Sequence, residues 1–396
     1  MSVLKDGVIY TFGEIFAKSI PFILIPYLSS KVGVDGYGKL AVMQSYVVLV
    51  HVFVGLSQNA AVARYYFRYG YRGLRSLIFK SYVISLAFVS PVLLYALIQQ
   101  SIEWLLVGGC AFLQIHFLIQ LSINQSRRLA GRYVALQFMF NFLLLINCIL
   151  YFEFIGNNYL GYFVATMLAY LIVLSFINIT GISFRGKSVN IRGSSIHYCY
   201  LLSFGGGLIF HQLALFGKSF FDRIILSQNF SDAEVGLYSI GYQLASIIQV
   251  LLVALNTAIV PYYYKAIKEG ELDRVQVIKY FKFALLLVPV VASITFMTPG
   301  FIFEMVFGFR DVDSYFFLFS IAISLNASYF VLTNFYFYYS RTMFISKVNT
   351  VSVVVHVFLV LWFGSISIEL VPYALILSNL LLVFGLLYRF NRWQID

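Results

Sequence analysis

The sequence predicts an all-α membrane protein that crosses the bilayer many times. Of its 396 residues, 61% are hydrophobic and only 11% are charged, whereas a soluble domain carries about 25% charged residues. The mean hydropathy is +0.87. Twelve apolar runs are each long enough to cross roughly 30 Å of hydrocarbon as a helix. Because these runs are continuously apolar and do not alternate, they favour helices over a β-barrel.

The predicted spans lie at about 10–30, 40–62, 77–98, 104–124, 134–153, 159–180, 200–228, 238–260, 281–298, 315–338, 344–364 and 368–388. Most of the 27 Lys and Arg residues, Lys80 among them, fall in alternate connections. The intervening connections hold only Lys31, Lys39 and Arg310. Since basic residues collect in cytoplasmic loops, both termini are expected in the cytoplasm. Topology therefore explains the net charge of +11, with attraction to anionic lipids as a secondary effect, and no nucleic acid partner is expected.

The first span is predicted to be a retained helix. It lacks the basic leader and the small-residue cleavage site of a secretory signal, and Glu14 and Lys18 interrupt it. The three cysteines lie inside predicted spans at unrelated spacings. They predict neither a disulfide framework nor a metal site.

An internal repeat relates the two halves of the chain. "VDGYGKLAVMQSY" at 34–46 resembles "DAEVGLYSIGYQL" at 232–244, with Gly38 opposite Gly236. "SQNAAVARYYFRYG" at 57–70 resembles "LNTAIVPYYYKAIK" at 255–268 at the same offset of 198 positions. The stretches "FAKSIPF" and "FGKSFFDR" share a Phe-x-Lys-Ser start at an offset of 200. This order of matches predicts a duplication.

Each half then holds six spans, and an even number makes the repeat parallel. Two such six-helix lobes typically enclose a site near the membrane midplane. The predicted N-lobe is 1–184 with spans 1 to 6, followed by a cytoplasmic linker at 185–198. The predicted C-lobe is 199–396 with spans 7 to 12.

Spans 1 and 7, which are equivalent in the repeat, contain ionisable side chains away from their ends. These are Glu14, Lys18, Lys218, Asp222 and Arg223. Both lysines lie roughly 16–18 Å from the predicted periplasmic ends of their helices, about halfway across the membrane. A lysine at that depth costs at least about 2.5 kcal/mol and predicts a functional site.

Two interpretations of these charges stay open. Glu14 precedes Lys18 by four residues and Asp222 follows Lys218 by four, so each lysine could pair with a carboxylate on its own helix for a structural purpose. Alternatively, Lys18 and Lys218 face each other across a central cavity and attract an anionic substrate. Arg223 would then add a third cation, and the carboxylates would be counter-ions that the substrate displaces.

Other polar side chains in the spans are candidates for lining a wet cavity. His211 lies two turns from Lys218 on the same face, and it joins Glu14 and Asp222 as a candidate for coupling transport to an ion gradient. The amides that suit sugar hydroxyls are Gln58, Asn59, Asn141, Asn256, Asn326 and Asn334.

No pattern indicates covalent chemistry. Gly217-Lys218-Ser219 matches the end of a phosphate-binding P-loop, but Gln212 stands where that motif needs glycine, and the context is a membrane helix. No nucleophile with its base and no paired carboxylates occur in a polar setting. The sequence therefore predicts no enzyme, no catalytic residues, no cofactor and no metal.

The chain resembles the Wzx-type O-antigen flippases of the multidrug/oligosaccharidyl-lipid/polysaccharide exporter superfamily. The stretches that carry the resemblance are "PYLSSKVGVDGYG" (26–38), "FFDRIILSQNFSDAEVGLYSIGYQLA" (220–245), "PYYYKAIKEG" (261–270) and "FEMVFGFRD" (303–311). Their order and spacing cover essentially the whole chain. Asp222-Arg223 matches the family motif directly. Family members carry cations in the central cavity, and Lys18, Lys218 and Arg223 stand where that pattern could be met, although the position of these cations differs between members.

The resemblance implies two six-helix lobes in a V around a central cavity. It implies alternating access for an undecaprenyl-diphosphate-linked oligosaccharide in the bacterial inner membrane. Candidate partners are a polysaccharide polymerase and a chain-length regulator. The main alternative is a drug or cation antiporter of the same superfamily, which net positive intramembrane charge disfavours. A glycosyltransferase would need a large catalytic loop, and a major-facilitator transporter would not have "RYYFRYGYRGLR" (64–75) after span 2.

Overall fold

The computed structural model describes residues 2–71, 73–180, 194–298, 300–308 and 311–392, without the side chains of 2–12, 14–18 and 194–195. Nearly all of this is helical, and the described residues contain no strand. In chain order the helices are α1 (Ser2–Gly55), α2 (Gln58–Tyr69), α3 (Leu74–Ile98), α4 (Ile102–Ser126), α5 (Ala130–Phe154), α6 (Leu160–Thr180), α7 (Ser194–Ser219), α8 (Phe221–Asn229), α9 (Asp232–Lys268), α10 (Arg274–Leu285), α11 (Leu287–Phe296), α12 (Gly300–Phe307), α13 (Asp313–Ser324), α14 (Asn326–Tyr338), α15 (Thr342–Gly364) and α16 (Val371–Arg392). A 3₁₀ helix at Ile368–Leu370 precedes α16.

The predicted class is confirmed, because the described residues form 11 stretches that are long and apolar enough to cross a membrane. The first of these, Ser19–Tyr69, is 51 residues long, about twice what one crossing needs. Within it Gly33 breaks the helix at φ 71°, between the first two predicted spans. The positive φ is available there because glycine has no Cβ.

The chain folds into two compact units, and each unit is made of two separate segments of the sequence. The N-unit comprises Met1–Leu24 and Lys39–Phe216, and the C-unit comprises Ile25–Gly38 and Gly217–Asp396. The division thus falls inside α1 and α7. Residues 185–193 of the predicted linker lie outside the described residues, and the predicted lobe bounds stay predictions. α7 itself begins at Ser194, several residues before the predicted seventh span.

The N-unit is built around α4, which packs against α2, α3, α5 and α6. One apolar cluster joins α2, α3 and α4 through side chains such as Leu77, Ile115 and Ile119, and it includes Leu201 from α7. A second cluster joins α4, α5 and α6 around Phe117 and Tyr170. In lipid, such close packing stabilises helix association, because burial from water contributes little there.

In the C-unit, α13 packs against α9, α11 and α16, and α16 also packs against α14 and α15. Its main apolar cluster contains Leu332, Phe335, Leu386 and Phe390. Polar side chains from α7, α15 and α16 also meet in this unit.

Two glycines that are equivalent in the repeat allow a close backbone crossing in the C-unit. A Cβ on Gly38 would lie 1.9 Å from the Asp232 carbonyl oxygen, and a Cβ on Gly236 would lie 2.3 Å from the Val34 carbonyl oxygen. Val34 and Asp232 are 198 positions apart, as are Gly38 and Gly236. Each half of the repeat therefore places an equivalent glycine against the equivalent carbonyl of the other half, which supports the predicted duplication.

Candidate functional site

Lys218 lies one residue before the end of α7, and its side chain is hydrogen-bonded to a neutral hydroxyl group. Its Nζ donates a hydrogen bond to Ser352 Oγ on α15 at 3.2 Å. Ser352 Oγ in turn donates to the Ser378 carbonyl oxygen on α16 at 2.6 Å. Both serines are fully buried and Lys218 is half-buried. The ammonium is thus oriented by groups that do not cancel its charge.

The pairing of Lys218 with Asp222 along one helix is not formed. α7 ends at Ser219 and α8 begins at Phe221, with Phe220 between them at φ −139° and ψ −20°. This break removes the four-residue helical spacing on which the pairing depends. Asp222 pairs instead with its neighbour Arg223, whose Nη1 lies 3.4 Å from Asp222 Oδ1.

Asp222 and Arg223 form a buried, hydrogen-bonded cluster, at 3% and 4% exposure. Asp222 accepts hydrogen bonds from the Tyr238 hydroxyl and from the Arg223 backbone N–H at 2.9 Å. Arg223 Nη1 donates to the Ser219 carbonyl at 2.5 Å, and its guanidinium lies 4.6 Å from the centre of the Tyr242 ring. The cluster ties the end of α7 to α8 and α9. This geometry favours a structural role, and the predicted roles in substrate binding and coupling stay predictions.

The remaining charged candidates lie elsewhere on α1 and α7. Glu14 and Lys18 are on α1, and their side chains lie outside the described residues. His211 is exposed on α7 and belongs to the N-unit, whereas Lys218 belongs to the C-unit. Its predicted role in coupling therefore stays a prediction.

The polar candidates of the N-unit brace helices. Gln58 is fully buried; its Nε2 donates to the Val54 carbonyl at 3.3 Å, and its Oε1 accepts from Ser85 Oγ at 3.4 Å. The half-buried Asn59 accepts a hydrogen bond at its carbonyl from Ser122 Oγ at 2.8 Å. Asn141 Nδ2 donates to the carbonyl of Gln137, one turn earlier on α5, at 2.9 Å.

The structure brings Asn256 and Asn334 together between α9 and α14. Asn334 Nδ2 donates to Asn256 Oδ1 at 2.8 Å. About two turns along the same pair of helices, Asn326 Nδ2 donates to Gln249 Oε1 at 2.7 Å. Gln249 was not predicted, because a single amide in an apolar span gives no signal until its partner is known.

The sequence also gave no indication of a polar cluster in the N-unit. Lys80 Nζ on α3 lies 3.4 Å from His197 Nδ1 on α7, and the Tyr65 hydroxyl on α2 lies 3.3 Å from His197 Nε2. The ammonium also lies 5.4 Å from the centre of the Tyr198 ring. Lys80 and His197 are both buried. The sequence placed Lys80 with the topology-setting basic residues and His197 in the linker.

Metal-binding geometry is not found in the described parts of the chain, where no three His, Cys, Asp or Glu side chains gather as a metal site would require. The C-unit site offers electrostatic interactions through the Lys218 ammonium. The half-buried ammonium of Lys218 is hydrogen-bonded to a serine hydroxyl. An anionic oxygen of a ligand can replace that hydroxyl as the partner of the ammonium.

The fold defines the class of protein. Over 96% of the chain it is similar to an inward-facing multidrug resistance MATE family transporter of the MOP superfamily, with 14% identity, 98% coverage of that chain and a TM-score of 0.68. Over 99% of the chain it is similar to the Vibrio cholerae MATE transporter VcmN D35N mutant, with 15% identity, 96% coverage of that chain and a TM-score of 0.64. At these identities the likeness shows a transporter fold and nothing finer.

Relatives in sequence give the family. Residues 3–267 match the family described as polysaccharide biosynthesis protein. The Lsg locus putative protein 1 of Haemophilus influenzae is 32% identical over 390 residues, which cover 97% of this chain and 96% of the relative. The chain belongs to the polysaccharide biosynthesis protein family, and at this level the resemblance predicted from the sequence is confirmed.

Proposed function

We propose that the protein is a flippase that moves an undecaprenyl-diphosphate-linked oligosaccharide, such as an O-antigen repeat unit, from the cytoplasmic to the periplasmic leaflet by alternating access. Membership of the polysaccharide biosynthesis family and the transporter fold support this proposal. Carrying a glycan through bare hydrocarbon would leave many hydroxyls without partners, each at a cost of several kcal/mol. The distribution of basic residues supports an inner-membrane location with both termini cytoplasmic.

The observation that carries the proposal is the burial of the Lys218 side chain and its hydrogen bond to a neutral partner. Its ammonium is half-buried in a membrane helix, yet its hydrogen-bond partner is the Ser352 hydroxyl, while Asp222 is engaged by Arg223. In surroundings of reduced dielectric, an ammonium attracts a diphosphate far more strongly than it does in water. Charge-assisted hydrogen bonds to phosphate are also stronger than a bond to a neutral hydroxyl. Lys18 is the proposed counterpart in the other half of the repeat.

Drug or cation antiport is the second candidate, because the similar solved structures include a multidrug transporter. A transported cation needs an available carboxylate. The buried carboxylate described in the C-unit, Asp222, already accepts hydrogen bonds from Tyr238 and Arg223. This closed arrangement favours the flippase.

The test is reconstitution in vesicles with a defined diphosphate-linked glycan, whose exchange between leaflets is followed over time. Lys218→Ala and Lys18→Ala should each slow exchange by about a hundredfold, since losing a desolvated charge contact costs about 2–5 kcal/mol and 1.4 kcal/mol is tenfold. The variant proteins should still accumulate in the membrane.

Lys80→Ala is the matched control, because Lys80 is a buried lysine of a membrane helix that contacts His197 rather than a candidate ligand site. It should lower stability but leave exchange by the folded protein near wild type. Wild-type exchange by the double variant of Lys18 and Lys218 would refute the proposal. If the wild-type protein transports a cationic drug and does not exchange the lipid-linked glycan, the antiporter would be favoured.

A further inference from the structure

His356 on α15 and Lys218 on α7 both lie near Ser378: Ser352, the partner of Lys218, donates to the Ser378 carbonyl, and His356 contacts the Ser378 hydroxyl. His356 follows Ser352 by four residues and therefore lies one turn along the same face of the helix. Its Nδ1 is 3.4 Å from Ser378 Oγ, and the Ser378 hydroxyl is 3.0 Å from the Leu375 carbonyl. A hydroxyl has one proton to donate. If the Ser378 hydroxyl donates its proton to the Leu375 carbonyl, Nδ1 of His356 carries a proton and donates it to Ser378 Oγ.

The other ring nitrogen then carries an unshared electron pair. His356 is 2% exposed, and its Nε2 has no hydrogen-bond partner among the described residues. A buried acceptor left without a partner is unfavourable and calls for an explanation. This nitrogen can accept a proton, although burial of the ring opposes its charged form.

Burial disfavours a charged ring, and two charged groups also act on it, Asp222 from α8 and Lys218 from α7. α16 contributes the neutral Ser378, and α14 has no charged side chain in its sequence. The 3₁₀ helix that packs against the end of α15 carries Glu369, which is exposed. The Lys218 ammonium therefore opposes a positive charge on the ring, and Asp222 favours it.

We infer that His356 is a proton-binding site whose occupancy is linked to anion binding at Lys218. This inference rests on the proposed function. An anion that neutralises Lys218 removes the repulsion that opposes protonation of His356, so anion binding promotes proton uptake. By linkage, a proton on His356 raises the affinity for the anion by the same factor. Such a site would let a flippase couple its substrate to the proton concentration.

The experiment is calorimetric titration of the full-length protein in detergent with undecaprenyl diphosphate, in buffers of different ionisation enthalpy. The measured binding enthalpy is plotted against the ionisation enthalpy of the buffer, and the slope gives the number of protons taken up on binding. The wild type should take up more protons than His356→Gln, while the variant still binds the lipid. Protonation of the lipid itself contributes equally to both and cancels in the difference.

His116→Gln is the matched control, because His116 is also buried with Nε2 lacking a partner among the described residues, yet its Nδ1 bonds only to the Phe112 carbonyl on its own helix. It should take up as many protons as the wild type. If His356→Gln fails to accumulate, Ser378→Ala serves instead and should reduce the uptake. Equal uptake by the wild type and these C-unit variants overturns the inference alone, whereas a wild type that binds no diphosphate refutes the proposed function with it.

Discussion

In the N-unit a buried lysine contacts a histidine directly, whereas in the C-unit two serines separate the lysine from the histidine. Lys80 and the Tyr65 hydroxyl occupy both ring nitrogens of His197. In the C-unit, Lys218 bonds to a serine, and Nε2 of His356 is unpartnered among the described residues. The N-unit cluster is saturated and therefore suited to structure. The C-unit cluster is not saturated in this way, and for this reason the anion and proton sites are proposed there.

The two halves are alike, by contrast, where their backbones cross. Gly38 lies against the carbonyl of Asp232 and Gly236 against the carbonyl of Val34, so each half presents the same contact to the other. Glycine is required at such a crossing because any Cβ would collide with the backbone. The duplication thus preserved a backbone contact while the buried charges of the two units became different.

The largest effect is expected from breaking the buried ion pair. Asp222→Ala leaves Arg223 buried without its partner and should lower the free energy of unfolding by about 3–5 kcal/mol. The first half has Phe22 and Ile23 at the equivalent positions, so this pair is specific to the second half. The measurement is thermal unfolding of the purified variant in detergent.

An exposed ion pair of the same unit provides the control. Lys265 and Glu269 lie 3.7 Å apart with 69% and 46% of their side chains exposed, and Glu269→Ala should change stability by less than about 0.5 kcal/mol. Equal losses for Asp222→Ala and Glu269→Ala would show that the buried cluster does not stabilise the C-unit.

A smaller loss is expected at the glycine crossing, and it should be similar on both sides. Gly38→Ala and Gly236→Ala each force helices apart, which typically costs about 1–3 kcal/mol. Gly206→Ala is the control, because a Cβ there meets no atom within 4 Å. Thermal unfolding of the three variants checks this. A loss at Gly38 without a loss at Gly236 would contradict the reciprocal contact.

Much of the fold could be predicted from the sequence, because long apolar runs indicate directly which helices are surrounded by lipid. The spans, the repeat and its offset of 198 positions rest on local patterns of this kind. The break at Phe220 could not be predicted, since nothing in "FGKSFFDR" signals that the helix ends there. That one break separates Lys218 from Asp222 and changes the chemistry of the site.

The partners of the polar residues could not be predicted either, because they come from helices far away in the chain. Ser352 and Ser378 are unremarkable in the sequence, yet they connect Lys218 to His356. His356 is a single histidine in an apolar span and gives no signal in the sequence. Burial and partner identity depend on which helix faces meet, and a single sequence does not determine that.

The smallest effect concerns a pair of amides that are equivalent in the repeat but have different partners. Asn256 bonds to Asn334 at 2.8 Å, whereas its counterpart Gln58 accepts from Ser85 at a longer 3.4 Å. Hydrogen bonds between membrane helices contribute about 0.6 kcal/mol on average. A double-mutant cycle of Asn256→Leu and Asn334→Leu should give a coupling near this value, and one of Gln58→Leu and Ser85→Ala a smaller one, because the bond is longer. Both cycles are measured by unfolding in the same detergent. A larger coupling for Gln58 and Ser85 would show that distance does not rank the interhelical contacts of the two units.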